Sequence, residues 1–247
     1  MTDRYFDELA GRFAEKIYGS TKGAIRLAIL QQDLITILPN KPITVLDIGA
    51  GQGHISLWLA EQGHHVTVTE PSAVMLNTAK EQFAQAELNA DFIQQPWQQL
   101  SFNQPFDLVI CHAVLEWLAD PLSILETLKK FTHPDGALSL AFYNKDALIY
   151  RNLLKGHFKK LKKQQFSGEK QSLTPQNPIA PNELKQAMSS EWELITQSGI
   201  RVFHDYMPFD FQTKASPDEL VKMELAYCKH PTFSGLGRYI HWLCQPK

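Results

Sequence analysis

The chain has 247 residues, 44% hydrophobic and 20% charged, an ordinary balance for an α/β domain with elaborations and unlike that of a disordered or membrane-embedded chain. Its formal charge of −2 argues against a uniformly basic coat for nucleic acid, although a local patch fits inside a neutral total. Three scattered cysteines, Cys111, Cys228 and Cys244, form no C-x-x-C pair; they read as reduced thiols, and no metal site is expected.

Residues 3–38 read as helical. Phe6, Leu9, Ala10 and Phe13 recur at helical spacing, as do Ile25, Leu27, Ile29 and Leu34, with a turn expected over 18–23. The opening residues lack the apolar core of a signal peptide and no run is long enough to span a bilayer, so a cytoplasmic chain with no membrane partner is expected. Ile43 starts a short β-branched strand. His65–Thr69 is a second, ending at Glu70-Pro71-Ser72, where Ser72 can cap the helix from Ala73. Residues 90–93 and 106–111 are a third and a fourth strand. A helix over 122–130 follows, then a turn at 133–136 and a fifth strand over 137–142. Strands alternating with helices imply a parallel sheet with right-handed crossovers.

Beyond Asn144 the composition changes. Residues 145–181 form a polar insertion carrying Lys155, Lys159, Lys160, Lys162, Lys163 and Lys170, closed by Pro175, Pro178 and Pro181. A helix from Asn182, a strand over 193–205, a helix opened by Ser216-Pro217-Asp218-Glu219 and a final strand over 237–244 suggest an antiparallel pair at one sheet edge. The whole is read as one domain over 1–247: a doubly wound, Rossmann-like, mostly parallel seven-stranded α/β sheet with one antiparallel edge strand. Residues 1–40 are a helical lead-in placed to cover the first strand's loop as a lid.

The densest information lies in PITVLDIGAGQG, residues 42–53. A strand ends at Asp47 and turns through Gly49, Gly51 and Gly53 into a helix, which lets backbone approach a ligand closely. A dinucleotide fingerprint needs G-x-G-x-x-G, and His54 stands where its third glycine belongs. The G-x-G-x-G loop behind an acidic residue instead resembles that of S-adenosylmethionine-dependent methyltransferases. Such a cofactor needs backbone amides near its methionine end, for which Gly49, Ala50 and Gly51 are candidates. It needs an acceptor for the ribose diol, and Glu70 lies 19 residues after Gly51 at the end of the second strand. Trp97 and Gln98, after the third strand, stand where an adenine slot belongs, and Asp47 supports the loop or the methionine ammonium. His112 follows the fourth strand, either facing the crevice or buried in the core; Glu116, Trp117 and Asp120 continue that edge, and Tyr143 and Asn144 hold the equivalent place after strand five.

Several segments, DRYFDELAGRFAEKIYGSTKGAIR, CHAVLEWLADP, LSLAFYN, GIRVFHDY and LGRYIH, together resemble the bacterial tRNA 5-carboxymethoxyuridine methyltransferase family over most of the chain. The resemblance is thinnest across 145–195 and 207–219. It implies methyl transfer from S-adenosylmethionine to the carboxylate of 5-carboxymethoxyuridine at the tRNA wobble position. It places cofactor contacts on Arg26, Gly49, Ala50, Glu70, Trp97, Gln98 and His112; Glu70 stands where Asp is commoner, and Trp97 where a small residue is. A carboxylate is already ionised at neutral pH, so the reaction needs placement rather than a base. Arg201, His204, Tyr206 and Arg238 are the candidates for orienting it, and the lysines from 155 to 163 for tracking tRNA phosphates. DNA is not an expected partner. A small-molecule methyltransferase acting on a quinone or metabolite acid, and a non-catalytic cofactor-binding partner of a tRNA-modifying enzyme, stay open as alternatives.

Overall fold

The computed structural model describes Asp3 and residues 20–164, 166 and 175–247. The helix expected around Phe6 to Phe13 and the Lys170 end of the insertion lie outside them.

Seven strands form one sheet: β1 (Thr44–Ile48), β2 (His65–Thr69), β3 (Asp91–Ile93), β4 (Phe106–His112), β5 (Thr132–Tyr143), β6 (Trp192–Ile200) and β7 (Tyr239–Pro246). Their order is β3-β2-β1-β4-β5-β7-β6. β1 to β5 pair in parallel, whereas β7 runs antiparallel to both β5 and β6, giving the expected antiparallel pair at that edge. Both faces are covered, which is why the inner strands are near-continuous apolar runs rather than alternating ones.

Val45, Val66, Val68, Leu108 and Ile110 face a core shared with α1 (Thr21–Ile35), α2 (His54–Glu61) and α3 (Ala73–Gln85). Leu46, Ile48, Val109 and Cys111 face the other core, with α4 (Leu125–Phe131) and, further along, α7 (Pro181–Met188). Each fully buried side chain of this kind, such as Phe83 or Leu128, contributes roughly 1.5–3 kcal/mol. Between α4 and α7 lie α5 (Lys145–Leu154) and α6 (Phe158–Lys162); after β6 come α8 (Phe209–Lys214) and α9 (Pro217–Tyr227). No helix among the described residues is long and apolar enough to cross a membrane.

The final strand sits two residues later than expected, and four other boundaries differ more from the sequence reading. The turn expected over 18–23 is in part helix: Ser20 Oγ accepts from the Gly23 amide and α1 begins at Thr21, so Lys22 and Gly23 are its first turn. The turn expected at 133–136 is extended and belongs to β5. The helix expected from Leu122 starts at Leu125, because Asp120 first folds a turn with Leu122 and Ser123. The strand expected over 193–205 stops at Ile200. There Arg201 takes φ +61°, and the amides of Val202, Phe203 and His204 donate to the Glu224 carboxylate instead of to a neighbouring strand.

Candidate active site

The carboxyl ends of β1, β2, β4 and β5 open on one rim, where doubly wound sheets place their ligands. Register brings the start of β7 and the end of β6 to the same rim, since Tyr239 pairs with both Tyr143 and Ile200. The crevice there holds about 1110 Å³ of empty space including its mouth. Its wall includes Arg26 of α1, Asp47 to Gly51, Glu70, Trp97 and His112. Six of the sequence candidates thus converge with Arg26 and His112 on one cavity. Gly23, Leu27 and Leu30 show that α1 forms one side of it.

The glycine loop needs its glycines. Gly49, Gly51 and Gly53 all have positive φ, and a Cβ on Gly49 would stand 2.6 Å from Val114 Cγ2. Its amides do not do what the sequence reading asked of them. Gly49 and Ala50 donate to the Thr69 carbonyl at 2.9 and 3.0 Å, and Gly51 donates to Glu70 Oε2 at 2.9 Å. The amides of 49–51 hold the loop to β2. What the loop offers a ligand is close backbone approach, and a methionine ammonium, itself a donor, has no use for amide donors.

Glu70 is buried, with Oε1 accepting from the Ser72 amide at 2.9 Å. Two amide donors fix the orientation of a carboxylate, an acceptor-only group, as recognition of a diol requires. Asp47 lies below the loop and accepts from Ser56 Oγ at 2.6 Å. Burial pushes its carboxyl up to about 7; Glu70 adds to the rise, while Ser56 and Arg26 oppose it. Trp97 packs against the core with its indole Nε1 buried and unpartnered among the described residues. Gln98 departs from expectation: it is exposed, does not line the crevice, and donates from Nε2 to Asp3 Oδ2 at 2.6 Å. The short turn of helix at 97–99 swings successive side chains apart, so Trp97 turns inward and Gln98 outward. A fixed diol acceptor, an acid beneath the loop and an orphan indole donor fit an adenosyl cofactor bearing an amino acid.

Beside the crevice, Asp205 gathers three of the four orienting candidates. Its Oδ1 lies 3.3 Å from Arg201 Nε and 3.3 Å from His204 Nδ1, and its Oδ2 lies 3.7 Å from Arg238 Nε. Burial works against the anion, but the His204 hydrogen bond and the charges of Arg201, Lys22 and Arg238 hold Asp205 well below its ordinary value. The Arg201 and Arg26 guanidinium carbons each lie 5.3 Å from the Tyr239 ring centre, and that of Arg238 lies 4.5 Å from Tyr143. Burial pushes the Tyr143 and Tyr239 hydroxyls up, keeping both protonated. Arg238 Nη1 is buried without a hydrogen-bond partner among the described residues. Tyr206 plays a quieter part, donating to the Leu236 carbonyl at 2.7 Å.

Two contributors escaped the sequence reading as site residues. Asp205 and Glu224 look like surface acids in the sequence, and only the i,i+4 spacing of Arg201 and Asp205 hinted at the pair. Glu116 was placed on the right edge, but its state was not legible. It is wholly buried, neither oxygen has a hydrogen-bond partner among the described residues, and burial pushes it up to about 7 despite Arg26.

A methyltransferase domain model matches residues 45–136. The tRNA 5-carboxymethoxyuridine methyltransferase of Escherichia coli (strain K12) is 39% identical over 251 residues, covering 98% of this chain and 95% of that one. A ubiquinone biosynthesis O-methyltransferase of Actinobacillus pleuropneumoniae serotype 7 is 30% identical over 138 residues, but that match covers 53% of this chain and 58% of its own. Among solved structures, magnesium protoporphyrin IX methyltransferase from Synechocystis PCC 6803, with bound S-adenosylmethionine, superimposes with a TM-score of 0.58 at 18% identity, covering 79% and 86% of the two chains. A Pyrococcus horikoshii OT3 protein reaches a TM-score of 0.66 at 17% identity, covering 98% and 100%. At such identity these two share the fold.

Proposed function

The chain belongs to the tRNA 5-carboxymethoxyuridine methyltransferase family, and we propose that its crevice and the adjoining arginine–tyrosine cluster together make a wobble-uridine methyl ester. The reaction joins a carboxylate oxygen to a methyl carbon, releasing the thioether. S-adenosylmethionine, when bound, supplies that methyl as an electrophilic carbon on a positively charged sulfur. Glu70 holds the ribose diol, Asp47, His112 and the backbone of Gly49, Ala50 and Gly51 take the methionine end, Trp97 flanks the adenosyl group, and Arg26 closes the wall from α1.

One observation carries the reading of the acceptor: a buried guanidinium nitrogen, Arg238 Nη1, left without a partner beside the crevice. An unpaired donor of that kind is costly unless something fills it, and a ligand carboxylate does so with charge assistance. Asp205 keeps Arg201 and Arg238 from presenting their full charge, so the substrate carboxylate is oriented without losing its nucleophilicity. The protonated hydroxyls of Tyr143 and Tyr239 stay neutral beside it. No base is required, because the nucleophile arrives ionised. The transition state disperses a positive and a negative charge, which a crevice walled by α1 favours over water.

The macromolecular substrate is tRNA bearing 5-carboxymethoxyuridine, reached through the exposed lysines of α6 and its flanks, in the cytoplasm where that tRNA is found. Residues 1–40 act as the lid and 145–181 as the tRNA-facing insertion of one domain over 1–247. Mass spectrometry of wobble nucleosides from a strain lacking the protein tests the reading. Accumulated 5-carboxymethoxyuridine with its methyl ester missing is expected; an unchanged ester level overturns it.

A further inference from the structure

Beneath the crevice a chain of polar side chains crosses the sheet. His112 Nε2 lies 2.7 Å from Ser139 Oγ, which lies 2.8 Å from His241 Nε2. His241 Nδ1 lies 2.6 Å from Asp33 Oδ2, and Asp33 Oδ1 lies 2.8 Å from Lys229 Nζ just beyond α9. Ser139, His241 and Asp33 are each fully buried, whereas Lys229 reaches solvent. The chain thus joins a crevice residue on β4 to an exposed cation through β5, β7 and α1. His112 and His241 also meet edge to face at 5.4 Å. Such buried polar groups are expensive in an otherwise apolar core; here each link is met by a hydrogen bond or, at Asp33 Oδ1, by the Lys229 ion pair.

Proton counting gives the chain a direction. Burial pushes Asp33 up, but the hydrogen bond from His241, with those of Lys229 and Ser198, holds it below its ordinary value, so it is an anion and accepts from His241 Nδ1–H. Lys229 already balances that anion. A second cation on His241 would be buried with no counter-charge of its own. His241 Nε2 therefore accepts, and the one proton of the Ser139 hydroxyl goes to it. Ser139 Oγ must then accept from His112, whose proton lies on Nε2. His112 itself is neutral: burial above all, with the charge of Arg26 beside it, pushes it well below its ordinary value. The nitrogen left for the crevice is Nδ1, carrying a lone pair. The groups facing His241 are Asp33 from α1, Ser139 from β5, His112 from β4 and Ser198 opposite it on β6.

We propose that Asp33, His241 and Ser139 are positioning residues that lock His112 in the Nε2–H tautomer, so that Nδ1 meets the cofactor as a hydrogen-bond acceptor. The proposal rests on the cofactor reading above. An acceptor suits the donor-rich methionine end of a cationic cofactor, and a histidine free to change tautomer would offer a donor half-heartedly in its place. Lys229 sets the direction from outside. Without it, His241 becomes the counter-charge of Asp33, takes a second proton and donates to Ser139; Ser139 then donates to His112 Nε2, and the His112 proton moves to Nδ1.

The test is long-range 15N–1H correlation spectroscopy on the full chain labelled at histidine, read without cofactor, alongside calorimetry with S-adenosylmethionine. The unsubstituted chain is expected to show His112 protonated on Nε2. Lys229→Gln, an exposed change, is expected to move that proton to Nδ1 with the backbone amide spectrum otherwise preserved, and to weaken S-adenosylmethionine by about tenfold. Ser139→Ala is expected to release the tautomer, and Ser139→Thr, which keeps the hydroxyl, to restore it. A His112 proton found on Nδ1 in the unsubstituted chain, or a Lys229→Gln spectrum with His112 unmoved, overturns the proposal. Failure of the unsubstituted chain to bind S-adenosylmethionine would instead overturn the cofactor reading, and the two failures are read by different instruments.

Discussion

Arg201 Nε stands 3.3 Å from Asp205 Oδ1, and Arg201 reaches that place from a left-handed backbone at φ +61°. A non-glycine residue in that region costs on the order of 1 kcal/mol, so the fold retains strain at the position that starts the arginine cluster. The strain separates function from folding. Arg201→Gly relieves the backbone while removing the guanidinium, and is expected to leave thermal stability equal or raised, S-adenosylmethionine affinity unchanged, and kcat for methyl ester formation down by roughly 100-fold, the scale of losing one charge-orienting donor. Arg201→Ala is expected to lose turnover equally but melt lower. Parallel loss of cofactor affinity and turnover in the glycine variant would assign Arg201 a structural role only.

Much of this site is legible in the sequence. The glycine loop, Glu70 at the end of β2 and the Ser72 cap follow from local spacing, and local spacing is what the structure keeps. The amide directions were not legible, because they depend on β2 lying against the loop: Thr69 takes two of them and Glu70 the third. Asp205 and Glu224 were invisible for a related reason. Their partners come from the ends of β6 and β7 and from α9, and nothing in a sequence says that β7 inserts between β5 and β6. The chain from His112 to Asp33 is the extreme case, since its links join positions 102 and 208 residues apart.

Gly49→Ala tests how tightly the loop is fitted. An added Cβ meets left-handed backbone strain and a 2.6 Å approach to Val114 Cγ2, together about 3 kcal/mol. Val114→Ala removes the second cost but not the first. The double variant is expected to recover about half of the loss in urea unfolding. Additive losses in the two single variants would mean that Val114 shifts aside freely.

Asp47 carries a pH signature whose sign is fixed by its direction of shift. Its folded value is about 7 against an ordinary 3.8, so between those limits the unfolded chain releases a proton that the folded one retains. Folding stability from this group is therefore highest in acid, declines as pH rises through the window and is flat above it. Two pH units inside the window correspond to about 3 kcal/mol. Glu116, also pushed up to about 7, contributes in the same direction. Asp47→Asn should be more stable than the unsubstituted chain at pH 8, lose most of that advantage by pH 5 and the rest as pH falls below 3.8. Cofactor binding should run the other way, strengthening as Asp47 ionises through pH 7, because the ligand is cationic; calorimetry at pH 6 and pH 8 reads both the trend and its loss in the asparagine variant.

The exposed lysines of α6 and its flanks bear on how the tRNA is held. Lys159, Lys160, Lys162 and Lys163 lie on a solvent-facing turn with no acidic residue among them, beside the exposed aromatic ring of Phe158. Cations that neutralise phosphates release counterions, so each contact steepens the fall of affinity with salt by roughly 0.7–0.9 in the logarithmic slope. Changing all four to Gln should reduce the slope by up to about 3 and weaken tRNA binding most at low salt, with S-adenosylmethionine affinity untouched. Phe158→Ala should weaken binding without changing the slope, as loss of a stacked base does, by about 1–3 kcal/mol. If the four-lysine variant keeps the full slope, the phosphates are met elsewhere and the patch is only a solvated helix face; if Phe158→Ala lowers the slope as well, the ring acts by holding the lysines rather than by receiving a base.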